Sequence, residues 1–243
     1  MRTIGMIGGM SWESSAIYYW VVNEAVKERL GGHHSAETVM YSIDFAPIKR
    51  LQHEGRWEET AAFLAEAARR VEQGGADFVV LCTNTMHRMA DAITEAVSIP
   101  LLHIADATAQ EVKAQDIQKV GLLATRFTME QDFYKGRLVR EHGLEVIVPD
   151  DEERRLIDDV IYDELCLGEI KESSRQAYRQ IMSRLVERGA EAVILGCTEI
   201  TMLVGQEDAS VPLFDTTRIH AEKAVELALD TRELGAGGWH SDS

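Results

Sequence analysis

The chain has little of what a nucleic-acid, membrane or disulfide-stapled protein needs. It carries 25 lysines and arginines against 41 acidic residues, a formal charge of −16 over 243 residues. An acidic excess of that size repels a phosphate backbone, and no basic patch offsets it, so no nucleic-acid partner is expected. No apolar run approaches the ~20 residues that a membrane helix needs, so no membrane partner is expected either. The only cysteines are Cys82, Cys166 and Cys197. Three thiols without zinc-type spacing fit a reducing, cytoplasmic compartment, with no disulfides and no bound metal. The N-terminal stretch MRTIGMIGG lacks a long apolar core and reads as a first strand rather than a signal peptide. Its glycines do not form a GxGxxG pattern and have no acidic ribose partner, which argues against a dinucleotide. No lysine stands in a recognised pyridoxal-phosphate context, so no cofactor is expected.

What is present is an ordinary globular composition, 45% hydrophobic and 27% charged, long enough for one large α/β domain or two small ones. Strand and helix patterns alternate along the whole chain. Strands are predicted over residues 3–7, 38–43, 77–82, 99–104, 120–124, 144–148, 192–195 and 213–215. Helices are predicted over 14–30, 57–71, 86–97, 129–142, 152–167, 174–188 and 219–229. Such alternation implies parallel sheets covered by helices.

The most informative feature is an internal repeat. GADFVVLCTNT begins at Gly75 and GAEAVILGCTE begins at Gly189. Ile4-Gly5-Met6-Ile7 pairs in the same way with Val120-Gly121-Leu122-Leu123, and SIPLL from Ser98 pairs with SVPLF from Ser210. Three matches in one order at nearly equal offsets imply two similar Rossmann-like lobes with parallel sheets, related by a pseudo-twofold axis. The first lobe is expected at 1–104 plus 213–231 and the second at 105–212, with 232–243 a flexible tail. Open α/β sheets bind ligands beyond the carboxyl ends of their strands, which places the active site in the cleft between the lobes.

The repeat register makes Thr83 the counterpart of Cys197, and Asn84 that of Thr198. Successive strand residues face opposite ways, so Thr83 is expected at the site and Cys82 in the core. A helix is expected close behind each strand end. Its free amides and partial positive charge would favour a thiolate at Cys197 and a carboxylate ligand beside it. Two side chains flanking a small anion would remove a proton on one face and deliver one on the other, inverting a stereocentre.

GMIGGMSWESS, VVLCTNTMH and ILGCTEI, in this order and separation, resemble the pyridoxal-phosphate-independent aspartate/glutamate racemase family. The likeness runs from about residue 2 to about residue 230. Within the family it is nearest to the branch acting on the L-enantiomers. The resemblance implies two α/β domains, a cofactor-independent racemisation of a small amino acid, and a homodimer. It implies that Cys197 takes the α-proton from the L-enantiomer. The family's first motif is Cys-Asn-Thr, and here Thr83 stands directly before Asn84, so the second thiol is replaced by a hydroxyl. Asn84, Thr85 and Thr198 would then hold the amino-acid head group, and Glu199 would orient or assist Cys197. Met10 and Ser11, in the turn after the first strand, would meet the substrate carboxylate; the same turn also reads as plain backbone geometry. Gln52 matches an amide in the loop after the second strand, while Lys49 and Arg50 read as surface charge. Cys166 stands where some relatives have a lysine and reads as a buried small hydrophobe. His87 and His103 read as structural histidines rather than ligands. Replacement of that lysine also leaves open a broader racemase acting on neutral amino acids such as homoserine. A one-thiol decarboxylase and a non-catalytic amino-acid-binding protein are the remaining alternatives.

Overall fold

The computed structural model describes residues 1–230. The tail expected at 232–243 lies outside the described residues. The described residues divide into two compact units, Met1–Ile104 together with residues 220–230, and Ala105–Ile219.

In chain order the first unit holds β1 (Ile4–Gly8), α1 (Trp12–Leu30), β2 (Thr38–Ser42), α2 (Phe45–His53), α3 (Trp57–Gln73) and β3 (Phe78–Leu81). A 3-10 turn (Thr85–Met89), α4 (Ala90–Ala96) and β4 (Leu101–Leu102) follow. The second begins with α5 (Ile104–Lys113), β5 (Lys119–Leu123), α6 (Arg126–Glu130), α7 (Lys135–His142), β6 (Glu145–Ile147) and α8 (Asp151–Asp163). A 3-10 turn (Leu165–Leu167), α9 (Glu172–Glu187), β7 (Ala192–Leu195), α10 (Ile200–Leu203) and β8 (Leu213–Asp215) complete it, and α11 (Thr216–Leu229) leads back to the first unit. All ladders are parallel, in the orders β2-β1-β3-β4 and β6-β5-β7-β8. The two sheets therefore share one topology, as the repeat required. The chain returns to the first unit at His220 and not at 213, because β8 hydrogen-bonds beside β7 and completes the second sheet.

The first sheet is covered on both faces. Ile4, Met6, Phe78, Val80 and Cys82 pack against Tyr18, Val22 and Val26 of α1 and Ala221, Ala224 and Val225 of α11. Ile7, Val79 and Leu81 point the other way, onto Leu64, Ala68 and Val71 of α3 and Ile93 of α4. This is the period-two alternation of a strand buried on both sides.

The repeated glycines have shared causes. A Cβ on Gly5 would come within 2.2 Å of the Val71 side chain, and one on Gly121 within 2.9 Å of Leu185. Each strand is thus crossed closely by the helix preceding its neighbour. Gly75 and Gly189 turn the chain into β3 and β7 at φ 92° and 94°, the left-handed region that favours glycine. Among the described residues, no helix is long and apolar enough to cross a membrane.

Several elements differ from the sequence expectation; the helices expected at 86–97 and 152–167 are each part α-helix and part 3-10 turn. Residues 45–53 form α2 rather than a loop. Asp44 caps it by accepting the Ala46 amide at 3.2 Å, and Pro47 sits in the first turn, where a missing amide is harmless. α5 occupies residues where no helix was expected. The helix expected at 129–142 is divided into α6 and α7.

Candidate active site

In the first unit Ile7 is paired with Leu81, and Gly8 with Ser42, so the turns after β1, β2 and β3 leave one edge of the sheet. The turn after β1 is tied internally. The Gly9 amide donates to Ser15 Oγ at 2.7 Å, and Ser15 Oγ donates to the Ser11 carbonyl at 2.9 Å. A Cβ on Gly9 would meet the Ile43 carbonyl at 2.1 Å, so only glycine fits there. Ser11 caps α1 by accepting the Ser14 amide at 3.3 Å. Met10 is buried, with its side chain among Ile7, Ile48 and Leu64. Gln52 is also buried, near the end of α2.

After β3, Cys82 is fully buried in the core against α1 and α11, and burial pushes its thiol well above the ordinary range. Thr83, one residue on, is half-exposed. Asn84 is buried, and Thr85 is half-exposed at the start of the 3-10 turn. His87 folds back beneath this segment, its Nδ1 2.7 Å from the Thr83 carbonyl.

In the second unit, β7 runs through Gly196 directly into Cys197, Thr198 and Glu199, which lead into α10. The Cys197 Sγ–H donates to Glu199 Oε2 at 2.9 Å. Cys197 and Glu199 are half-buried and Thr198 is buried. Thr198 Oγ1 lies 3.1 Å from Thr217 Oγ1, and Thr216 Oγ1 donates to the Leu195 carbonyl at 2.9 Å. These hydroxyls fasten the end of β7 to the start of α11.

The electrostatics of Cys197 correct the sequence expectation. Burial, then the Glu199 carboxylate, raise the thiol well above its ordinary value. α10 has only four residues, too short to supply the expected positive end. Both effects oppose the thiolate that the sequence led us to expect.

Two tyrosines beside this thiol have no signal in the sequence. Tyr162 of α8 is half-buried, and burial, then the charge of Asp158, raise its phenol. Tyr178 of α9 is raised by burial, and donates to the Ile157 carbonyl at 3.1 Å. Their approach depends on how two helices pack, for which no local motif exists. Cys166 is exposed rather than buried. Among the described residues, no group of three or more His, Cys, Asp or Glu is placed to hold a metal ion.

The Asp/Glu/Hydantoin racemase family model matches residues 7–224. A Yersinia pestis protein provisionally assigned as an Asp/Glu racemase has a crystal structure 54% identical in sequence. It superimposes with a TM-score of 0.91 over 95% of this chain and 100% of that one. An aspartate racemase homologue from Pyrococcus horikoshii OT3 is 37% identical, with a TM-score of 0.83 over 95% of this chain and 100% of that one. The broad specificity amino-acid racemase RacX of Bacillus subtilis (strain 168) is 23% identical over 235 residues, 93% of this chain and 98% of that protein. With a family model spanning nearly its whole length, this chain belongs to the Asp/Glu/hydantoin racemase family.

Proposed function

We infer that this protein racemises aspartate or glutamate without a cofactor, with Cys197 as the base for the L-enantiomer and Thr83 on the return side. The observation that carries this reading is the 2.9 Å Cys197–Glu199 hydrogen bond at the end of β7, in a chain of this family. An α-proton next to a carboxylate is a weak acid, and its removal needs a base already in place. Glu199 accepts the thiol proton, and the resulting thiolate takes the α-proton of the L-amino acid. The carbanion is quenched by the Thr83 hydroxyl, which gives up its proton and regains one from water. The hydroxide so formed takes back the proton held by Glu199, which restores the starting state, and no electron pair leaves the substrate. Asn84, Thr85 and Thr198 are the candidates for holding the head group, and Met10, Ser11 and Gln52 those for the remainder of the substrate. The broad-specificity relative and the uncharged Cys166 turn favour a second reading, in which neutral amino acids are also substrates.

The test is α-deuterium exchange in heavy water, followed by proton NMR over a panel of L- and D-amino acids, with chelator present and after dialysis. Aspartate or glutamate should exchange fastest. Cys197→Ala should lose roughly 10² to 10⁴ in rate while remaining folded. Wild-type exchange in that variant would remove the thiol from the mechanism. Activity restored only by added pyridoxal phosphate or metal would overturn the cofactor-free reading. An amino acid that binds without exchanging its α-proton would mark a binding protein instead.

A further inference from the structure

The first unit contains three buried histidines that the mechanism above does not use. His87 lies in the 3-10 turn, His103 just after β4 and His220 in α11. The rings of His87 and His103 meet at 4.5 Å between centroids, and those of His87 and His220 at 5.7 Å. Three imidazoles packed together invite a metal or proton-relay reading, but their hydrogen bonds point elsewhere.

His87 Nδ1 faces the Thr83 carbonyl at 2.7 Å, and the Ile104 amide donates to its Nε2 at 3.2 Å. A carbonyl only accepts and an amide N–H only donates. The ring is therefore neutral, with its proton on Nδ1. His220 is set by the same logic. Its Nε2 faces the Leu102 carbonyl at 2.8 Å and must carry a proton, and its Nδ1 lies 2.8 Å from the Tyr18 hydroxyl. His220 thus links α1, α11 and β4, and its ring packs against His87. His87 itself bridges the ends of β3 and β4.

Thr83 lies beyond the last residue of β3, where the sheet ladder no longer supplies a partner for its carbonyl. We propose that His87 is a positioning residue for Thr83: its Nδ1–H holds the Thr83 carbonyl and thereby sets the direction of the Thr83 hydroxyl. The inference rests on the reading of Thr83 as the proton-return group. His87 touches neither substrate nor reacting atoms. It acts by fixing the backbone rotation at a residue whose side chain must meet the α-carbon within a few tenths of an ångström.

Two substitutions separate the two ends of the ring. His87→Asn keeps a donor near the Nδ1 position, and His87→Gln keeps an acceptor near the Nε2 position but loses the donor to Thr83. Turnover of L-aspartate and L-glutamate is measured in the full chain, with α-deuterated substrate and separately in heavy water. His87→Gln should lower turnover about tenfold, the effect of one buried carbonyl left without its donor. Proton return then becomes the slower step, so the substrate isotope effect falls and the solvent isotope effect rises. Thr83→Val should move both isotope effects the same way, and His87→Asn should stay near wild type. A loss of turnover with both isotope effects unchanged would reduce His87 to a structural residue and overturn the proposal. Wild-type behaviour of His87→Gln alongside a defective Thr83→Val would overturn it too. A silent Thr83→Val would instead remove the Thr83 reading, and this proposal with it. Long-range nitrogen-15 spectra of the unmodified protein check the geometry without any substitution. His87 should show a protonated Nδ1 and a bare Nε2 at neutral pH, and the reverse pattern overturns the assignment.

Discussion

Burial and then the neighbouring carboxylate raise the Cys197 thiol, because each disfavours its negative form. The same contact that raises the thiol supplies the acceptor for its proton. Replacing the carboxylate by an amide pulls these two effects apart. In Glu199→Gln, with Cys166→Ser to remove the exposed thiol, the Cys197 thiolate should appear at lower pH than with Glu199 in place. Thiolate ultraviolet absorbance follows the titration, and buried Cys82 stays silent. Racemisation at neutral pH should nevertheless fall roughly 10²-fold, because the proton acceptor is gone. Its rise with pH should also begin earlier, since a thiol with a lower pKa ionises sooner. A titration midpoint that stays or moves upward would mean that Glu199 does not face the thiol. The contrast between Cys82 and Thr83 is legible in the sequence, because neighbouring residues in a buried strand must face opposite ways. The upward shift of the Cys197 thiol is not. It depends on burial and on the length of α10, and neither is written in the CTE motif.

Elements are legible where their period is clean. All eight strands and the helices α1, α3, α9 and α11 agree with expectation to within a few residues. The misses have physical causes. α2 is hidden by Pro47, which reads as a breaker except in a first turn. α5 is hidden by burial, since Ala105, Ala107, Thr108, Ala109 and Val112 are all inside and leave little polar contrast to count. The paired glycines of β1 and β5 yield a prediction at this scale. A methyl on Gly5 meets Val71 at 2.2 Å, Ala76 at 2.6 Å and the Phe78 carbonyl at 2.9 Å. Gly5→Ala should therefore cost ~1–3 kcal/mol by overpacking. Gly121→Ala should cost less, because its nearest neighbour is the end of the Leu185 side chain, which can rotate. Urea denaturation of both variants gives the ranking. Adding Val71→Ala to Gly5→Ala should recover part of the loss. Equal midpoints for the two single variants, or no recovery in the double, would show that β1 and α3 have room to move apart.

Over the whole molecule, the two sheets repeat one topology while the residues at their equivalent strand ends do not repeat their chemistry. β3 delivers Thr83 where β7 delivers Cys197, a poor acid against a good one. Enantiomers have equal free energy in achiral water, so the reaction must end at an equal mixture whatever the protein does. Both directions also cross the same transition states from free protein and substrate, which forces kcat/KM to be equal for the two enantiomers. The asymmetry can appear only in kcat and KM taken separately. In the mechanism proposed above, a bound L-substrate needs a thiolate, which Glu199 provides by accepting one proton. A bound D-substrate must wait for the Thr83 side to lose its proton, so most of that complex is unreactive. An unreactive resting complex lowers kcat and KM together. The D-enantiomer should therefore saturate at lower concentration and turn over more slowly, by one common factor. Thr83→Cys should shrink that factor and raise kcat for the D-enantiomer, since a thiol ionises far more readily than a hydroxyl. Initial rates for both enantiomers across a concentration series, in wild type and Thr83→Cys, decide the matter. Equal kcat values in the wild type would mean that the two proton-transfer sides are matched after all. Cys82, not Thr83, would then be the group that the first unit brings to the substrate, with the end of β3 turned by one residue.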